Sequence, residues 1–453
     1  MTAYIGVDDT DSTQGMCTTY ILTEIIRELD FPVLLGHPRL VRLNPNIPWK
    51  TRGNGALALA LGGNPSDAFR IGEIDGRALF ASLTPAVGRH DIAEVLERVS
   101  SVVGRLAELG DGNTNPGVAV SAERPDGSLY WRAVREIVEP EEAGKALHDA
   151  GGMSRTWKNG RGLIGAVAAI SWVPKDRTYE VITYRKREKW GTSRTIDVAS
   201  VSRLSADFPS TFSNYDAVNR HACIAPSSPC PVLFGIRGND PSILELAMHS
   251  VHGEAADRWL IFESNQGTDD HIMEPEGKLE LFRSYVLRGT VLSEAETIRG
   301  GHVFFGLRTS FGDIRCAAFE ETKELRNAVR SLVRGDAIAV WGSIKQGVPG
   351  ESFNIEKMAV ISLAQKRVKT SNPRCPLCSR RMQSAGKDSG FRCRQCHIRS
   401  AEAEYTVVAR QLWPGLYSTA AASRRHLSKP PERMGPHSQP ESSAIPDGTR
   451  VPS

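Results

Sequence analysis

The stretch YIGVDDTDSTQGMCTTY, residues 4–20, limits what this chain can become more than any other. A short β-type run, Tyr4 to Val7, ends in three carboxylates within four positions: Asp8, Asp9 and Asp11. Gly15 follows, and Cys17-Thr18-Thr19 opens a helical pattern. Strand, acidic turn and helix in that order leave backbone polar groups free at the strand's end and the helix's start. Three carboxylates so close together cannot all ionise without a cation. Mg²⁺ carrying nucleotide phosphates is the usual one, since it takes hard oxygen ligands. By itself the stretch also fits a solvated turn and an N-cap, because Asp and Ser favour both.

From Met16 to Leu29, the residues Tyr20, Ile21, Ile25, Ile26 and Leu29 recur at helical spacing. Thr18 then falls in the first turn, beside the acidic loop. A hydroxyl there can bind a metal or phosphate or accept a phosphoryl group; local capping is the plainer alternative. Next comes RLVRLNPNIPWKTRGNGA, residues 39–56. Its prolines forbid a long helix. Lys50 and Arg52 alternate on an extended segment, while Gly53 and Gly55 let backbone approach a ligand. No G-x-x-x-x-G-K-[ST] loop is present. His90 to Leu109 reads as a helix, Asn113-Thr114-Asn115-Pro116-Gly117 as a turn, and Val118 to Ser121 as a strand. Residues 157–165, WKNGRGLIG, read as a second glycine-rich basic loop running into an apolar stretch.

The chain has 453 residues, enough for ~3 domains. A hydrophobic content of 40% supplies several cores, and a net charge of +4 identifies no partner. No apolar run reaches the ~20 residues of a membrane span, so a cytoplasmic location is expected. Eight cysteines are few, and four form two C-x-x-C pairs, which favours metal over disulfides and a reducing compartment.

Residues 1–165 thus read as one α/β domain with several ligand loops, and 166–280 as a second region. The second contains strand-like Tyr179 to Tyr184, a strand ending FGIRG, and FESNQGTDDH, residues 262–271. Dense polar side chains on such a loop suit a small polar ligand. His271 alone reads as a packed or surface histidine. Residues 281–365 carry five short strands with a helical run, Thr322 to Leu332, between the third and fourth. That is the pattern of an OB-fold, a platform for single-stranded nucleic acid.

Cys375, Cys378, Cys393 and Cys396 follow within 370–411, the two pairs separated by fourteen residues. This is close to the spacing of a structural Zn²⁺ site with four thiolates and no open position. Arg374, Arg380, Arg381, Lys387, Arg392, Arg394 and Arg399 surround it. An OB-fold, a zinc ribbon and an arginine cluster in succession point to nucleic acid. Residues 412–453 are polar and rich in Pro, Ser and Arg, and read as a disordered tail.

The motifs GVDDTDSTQGMCTTY, RLVRLNPNIPWKTRGNGA, NTNPG, NGRGLIGA, FGIRG and FESNQGTDDH, with the OB-fold and ribbon, closely resemble the archaeal isoleucine-tRNA 2-agmatinylcytidine (agmatidine) synthetase family over roughly residues 1–410. The resemblance implies a multidomain α/β and α+β chain: a kinase-like domain, a ferredoxin-like domain, an OB-fold β-barrel and a zinc ribbon. It implies an ATP-dependent ligase that phosphorylates the wobble cytidine of an isoleucine tRNA with a cytidine-containing anticodon and joins agmatine to its 2-oxo carbon, consuming ATP to AMP. The family's autophosphorylated threonine falls on Thr18 and its carboxylates on Asp8, Asp9 and Asp11, the expected Mg²⁺ ligands. Gly15, Lys50, Arg52, Gly53 and Asn54 are the expected ATP contacts. Agmatine is a dication with a guanidinium fork, for which Asp216, Glu263, Asp269 and Asp270 are the candidate partners. Two rivals remain: a non-catalytic OB-fold and ribbon binder of single strands, which leaves the acidic turn unexplained, and another nucleic-acid kinase or ligase.

Overall fold

The computed structural model describes residues 2–50, 53–347, 350–386 and 389–435. Alternation along three strands explains how the N-terminal half is layered. Strand β1 (Ala3–Asp8) lies between β3 (Gly55–Leu61) and β4 (Gly117–Ser121), antiparallel to both. One face presents Ile5, Val7, Leu57, Leu59, Val118 and Val120 to helix α1 (Thr18–Glu28) and the Ile92–Leu106 helix. The other face presents Gly6, Ala56, Ala58 and Ala119 to α2 (Gly162–Ser171). Large residues on one face and small ones on the other follow from a strand's period of two. The small face lets α2 come so close that a Cβ on Gly6 would stand 2.1 Å from the Ala166 carbonyl oxygen. Apolar on every side, α2 is a buried helix. The loop expected over 157–165 is therefore a loop only to Arg161; Gly162 to Gly165 form the first turn of this helix.

The two N-terminal regions share strand pairing. One twelve-stranded sheet runs through both. Strand β7 (Ala256–Ser264) pairs antiparallel with β5 (Thr178–Arg185), which pairs with β6 (Val232–Gly238). On its other edge β7 meets Phe69–Ile74 of the first region, and at its end it runs parallel to β2 (Arg39–Arg42). A boundary at residue 165 thus cuts α2 and crosses a continuous sheet.

Strands β8 (Ser284–Val291), β9 (Val303–Thr309), β10 (Gly312–Ala318), β11 (Ala337–Gly347) and β12 (Gly350–Ser362) form a closed barrel. β8 pairs with β9 and β11, β9 with β10, β10 in parallel with β12, and β12 with β11. The Glu324–Arg330 helix falls between the third and fourth strands, as the sequence predicts. The ribbon follows on a stalk of two paired strands, Arg367–Ser371 and Glu404–Val407.

The disordered tail expected from residue 412 is not observed over 412–435. Strand β13 (Gly415–Ser418) pairs with β12 of the barrel. Leu427, 2% exposed, joins the core between the sheet and α2. Residues 436–453 lie outside the described residues.

Candidate active site

β1 delivers Asp8 at its last position, and Asp9 turns the chain with a positive φ of 55°. The acidic turn is held from outside. Thr114 Oγ1 donates to the Asp11 carbonyl (2.7 Å) and the Asn115 N–H to the Asp9 carbonyl (3.1 Å). The Asp111 carboxylate accepts from Ser12 Oγ (2.8 Å), Thr13 N–H (3.1 Å), Thr13 Oγ1 (3.0 Å) and Asn113 N–H (2.9 Å). The Asn113 bond leads the four in holding the Asp111 pKa down to about 2. Lys158 Nζ closes the layer on the Asp111 and Thr114 carbonyls, at 2.6 and 2.8 Å. The NTNPG turn and the WKNG loop are therefore the frame of the acidic turn.

Within that frame Asp11 reaches α1. Its Oδ1 accepts the Thr18 backbone N–H at 2.7 Å and the Thr18 hydroxyl at 3.0 Å. A carboxylate at a helix N-terminus satisfies an otherwise open donor and lies favourably in the helix dipole. Asp8 sits opposite, against α2: a Cβ on Gly165 would stand 1.9 Å from Asp8 Oδ2. Burial, then the neighbouring Asp9 charge, push the Asp8 carboxyl well above the usual range. Burial likewise raises Asp9 to about 6, against hydrogen bonds from Asn115. Carboxyls pushed up by desolvation and by each other mark a place where a cation is favoured.

Asp8, Asp9, Asp11 and Thr18 line one pocket with Leu43, Ile47, Trp49, Lys50, Asn54, Gly55, Glu136, Arg161 and Gly165. The pocket is open at its mouth: its empty space, open solvent included, is about 740 Å³. Arg161 lies over the Trp49 ring, 4.1 Å from its centroid, at the rim. Lys50 Nζ is turned to the carbonyls of Pro45 and Ile47, and burial lowers its pKa to about 8. Asn54, at φ 47°, donates to the Asn44 carbonyl at 2.9 Å.

Of the residues expected from sequence, the pocket gathers Asp8, Asp9, Asp11, Thr18, Lys50 and Asn54. Gly53 lies just behind the rim, against Arg42 and His426, and Gly15 lies outside the pocket near Pro229. Arg52 is outside the described residues. The four carboxylates expected to hold agmatine do not converge on the pocket, and each already has a partner. Asp216 accepts the Asn219 N–H and amide, both at 3.0 Å. Glu263 pairs with Arg39 and Arg177, Asp269 with Lys357, and Asp270 with the Tyr130 hydroxyl at 2.5 Å. Glu263, Asp269 and Asp270 thus link the sheet, a helix and the barrel, while Asp216 is bonded within its own hairpin. Sequence reasoning missed Asp111, Trp49, Arg161 and Gly165. For Arg161 and Gly165 a signal existed in NGRGLIGA; for Asp111 there was none, since its partners Ser12 and Thr13 lie about a hundred residues earlier.

The four ribbon cysteines bring their sulfurs within 4.8 Å of one another. The Cys396 N–H donates to Cys393 Sγ at 3.4 Å, as zinc knuckles do to their thiolates. This donor set fits one tetrahedral Zn²⁺.

An acidic turn facing a helical threonine, joined in one chain to a β-barrel and a four-cysteine ribbon, defines an enzyme of phosphate chemistry with nucleic-acid-binding modules. Residues 4–158 match the TiaS TCKD domain, 160–271 the TiaS FLD domain, and 372–412 the TiaS C-terminal zinc ribbon domain. The chain belongs to the TiaS family, the isoleucine-tRNA 2-agmatinylcytidine synthetases. The Archaeoglobus fulgidus synthetase is 40% identical over 444 residues, covering 96% of this chain and 98% of its own. The Methanocaldococcus jannaschii synthetase is 38% identical, with 94% and 97% covered. Among solved structures, a complex of TiaS with its isoleucine tRNA and ATP superposes with a TM-score of 0.82 at 38% identity, over 97% of this chain and 99% of that one. A complex of TiaS with the same tRNA, AMPCPP and agmatine gives 0.80 at 36% identity, with the same coverage.

Proposed function

We propose that this protein is the isoleucine-tRNA 2-agmatinylcytidine synthetase of its source, and that the pocket between β1, α1 and α2 is where it handles ATP. The activity is the ATP-dependent conjugation of agmatine to the wobble cytidine. A cytosine 2-oxo group leaves poorly; once phosphorylated it can be displaced by agmatine's primary amine. In this reading residues 4–158 are the kinase-like part, 160–271 the ferredoxin-like part and the closed barrel an OB-type module. Barrel and ribbon supply the grip on tRNA, through phosphate contacts whose strength falls with salt.

Three carboxylates are a hard-oxygen donor set that fits Mg²⁺, with Asp8, Asp9 and Asp11 as its holders. Bound there, Mg²⁺ supplies charge neutralisation for the phosphates. Lys50, once turned from the Pro45 and Ile47 carbonyls, and Arg161 lie on the side where the phosphate chain would run. Asp11 stands where a base for the Thr18 hydroxyl must stand, within hydrogen-bond reach of that oxygen. Thr18 attacks a phosphoryl group of ATP through Oγ1; the bond from that phosphorus to its bridging oxygen breaks, the rest of the nucleotide leaves, and the hydroxyl proton passes to Asp11. The bond from Thr18 Oγ1 to Asp11 carries this reading; a structural threonine would not need a carboxylate that is also part of a three-carboxylate pocket. The base to be modified must leave its stack to reach such a centre.

The test is direct. The purified protein is incubated with ATP, radiolabelled agmatine and an isoleucine tRNA carrying a cytidine anticodon. Label in the tRNA, dependent on ATP and lost in Asp11→Ala, supports the proposal. Binding of tRNA without any incorporation would favour the non-catalytic reading.

A further inference from the structure

The segment after the ribbon ends at the rim of the pocket, and one residue of it touches the rim itself. From Ala421 to Arg433 the chain crosses the joint between the sheet and the barrel. The Gly267 N–H donates to the His426 carbonyl at 2.7 Å, and the Asp269 N–H to the Leu427 carbonyl at 2.9 Å. Lys429 N–H returns a bond to Asp269 Oδ1 at 2.6 Å. Arg425 Nη1 donates to Asn46 Oδ1 at 2.9 Å, one residue from pocket-lining Ile47. Lys429 and Arg433 both bond Asp176, each at 2.8 Å.

His426 is the residue of this segment that reaches Gly53. Its Nδ1 lies 3.2 Å from Arg237 Nη2. A guanidinium has donors only, so Nδ1 accepts, and the ring's single proton sits on Nε2. The flanking Arg42 charge, then burial, then Arg237 keep the imidazole well below its ordinary pKa, so it stays neutral between two cations. Cδ2 and Nε2 face Gly53: they stand 3.0 and 3.1 Å from where a Cβ on that glycine would be. Arg42 Nη1 stands 2.9 Å from the same point and 2.8 Å from the equivalent point on Gly55. Gly53 is thus pinched between the Arg42 guanidinium and the His426 ring, while the next two residues, Asn54 and Gly55, line the pocket. A Cβ on either glycine would push the far end of the Arg42 side chain aside, and on Gly53 it would also press the edge of the His426 ring by a few tenths of an ångström.

We propose that His426 is a positioning residue of the ATP site. It holds Gly53, and through it the Asn54–Gly55 rim, so that the chain's last described segment is a working part of a pocket built some 370 residues earlier. The inference rests on the reading that ATP occupies this pocket.

Full-length His426→Ala, His426→Gln and Gly53→Ala are compared with the intact protein for KM of ATP, kcat, tRNA affinity without ATP, and melting midpoint. His426→Ala is expected to raise the KM for ATP roughly tenfold, with kcat changed less than about threefold and tRNA affinity unchanged. His426→Gln keeps a neutral acceptor for Arg237 and a donor toward the rim, and should recover most of the loss. Gly53→Ala, which presses a methyl on the ring, should show the same KM defect and serves where His426→Ala does not fold. An unchanged KM for ATP in these variants overturns the proposal. So does a parallel decline of KM, tRNA affinity and melting midpoint without rescue by Gln, which is what a purely structural strap gives. If Asp11→Ala leaves the affinity for ATP, read by equilibrium binding, intact, it is the pocket reading that fails; if ATP binding needs Asp11 but not His426, only the present inference does.

Discussion

Gly165 packs directly against Asp8: a Cβ on Gly165 would stand 1.9 Å from the Asp8 carboxylate oxygen. Helix α2 therefore does more than fill the core. Its first turn forms the wall against which the first carboxylate of the acidic turn is buried, and burial there is the main cause of Asp8's raised pKa. Gly117 and Gly162 make the same kind of approach one strand over, with 2.3 Å between the Gly117 N and a Cβ on Gly162.

Gly165→Ala tests this contact against helix propensity. In an unconstrained helix interior alanine is favoured over glycine by about 1 kcal/mol. Here the methyl must move either α2 or Asp8. The variant is expected to melt lower than wild type and to lose agmatine transfer by a factor of about 100, the scale of a lost preorganised charge contact. A variant that melts higher and turns over normally would show that the helix yields freely and that Asp8 does not depend on it.

Thr18 is best examined by two substitutions. Thr18→Ala removes the hydroxyl that bonds Asp11 and should abolish self-labelling by ATP together with agmatine transfer. Thr18→Ser keeps the hydroxyl and should retain labelling at reduced rate. Thr19 is the competing acceptor, but one step along a helix turns it by ~100°, and its Oγ1 contacts Cys17 Sγ at 3.4 Å. Labelling that survives in Thr18→Ala would move the acceptor elsewhere.

How far the sequence foretold this arrangement depends on how local the contacts are. The strand, acidic turn and helix at the N-terminus, the barrel strands and the cysteine pairs are written in short-range pattern, and the structure has them where the pattern places them. Three things are not local. Asp111 reaches back 99 positions to Ser12. The polar composition of 420–433 resembles disorder because Arg425, Lys429 and Arg433 find their carboxylates up to 257 positions away, as Arg433 does in Asp176. Glu263, Asp269 and Asp270 have cationic and hydroxyl partners on other elements, Arg39, Lys357 and Tyr130, which short-range pattern does not announce.

Lys357 on β12 is fully buried and bonds Asp269, which ties the barrel to the sheet. Breaking one side of a buried pair leaves an uncompensated charge, at a cost of about 3–5 kcal/mol. Lys357→Met and Asp269→Asn should each lower stability by that order in denaturant unfolding. The double variant should recover part of the loss, since neither charge is then stranded. Single variants that unfold like wild type would mean that solvent already reaches the pair.

His37 lies between the rings of Phe69 and Tyr179, with centroids 5.3 Å away on each side. Burial lowers its pKa from 6.5 to about 4. The unfolded chain binds the extra proton first, so His37 favours the fold fully above pH 6.5, and that share is lost as pH falls from 6.5 toward 4. The loss is on the order of 3 kcal/mol. His37→Phe should flatten the stability profile across this window when unfolding is followed at a series of pH values. Parallel profiles for the two proteins would show that the ring is solvated.

The ribbon is expected to serve tRNA binding and not the chemistry, and the path of the chain dictates how to remove it. A truncation near Ala364 would also delete β13, which extends the barrel, and His426, which touches the pocket rim. Excision of 372–403 is cleaner, because Ser371 and Glu404 are paired neighbours at the head of the stalk and a short linker can join them. The excised segment carries all four cysteines and the arginines around them, and folds a small core of Cys375, Met382, Phe391 and Cys393 that needs the metal to hold. The excised protein should label Thr18 with ATP at close to the wild-type rate, bind tRNA much more weakly with a shallower dependence on salt, and transfer agmatine poorly. Cys393→Ser with Cys396→Ser should reproduce this split with loss of about one zinc per chain. Unchanged tRNA affinity after excision would place the grip on tRNA in the barrel and the sheet instead.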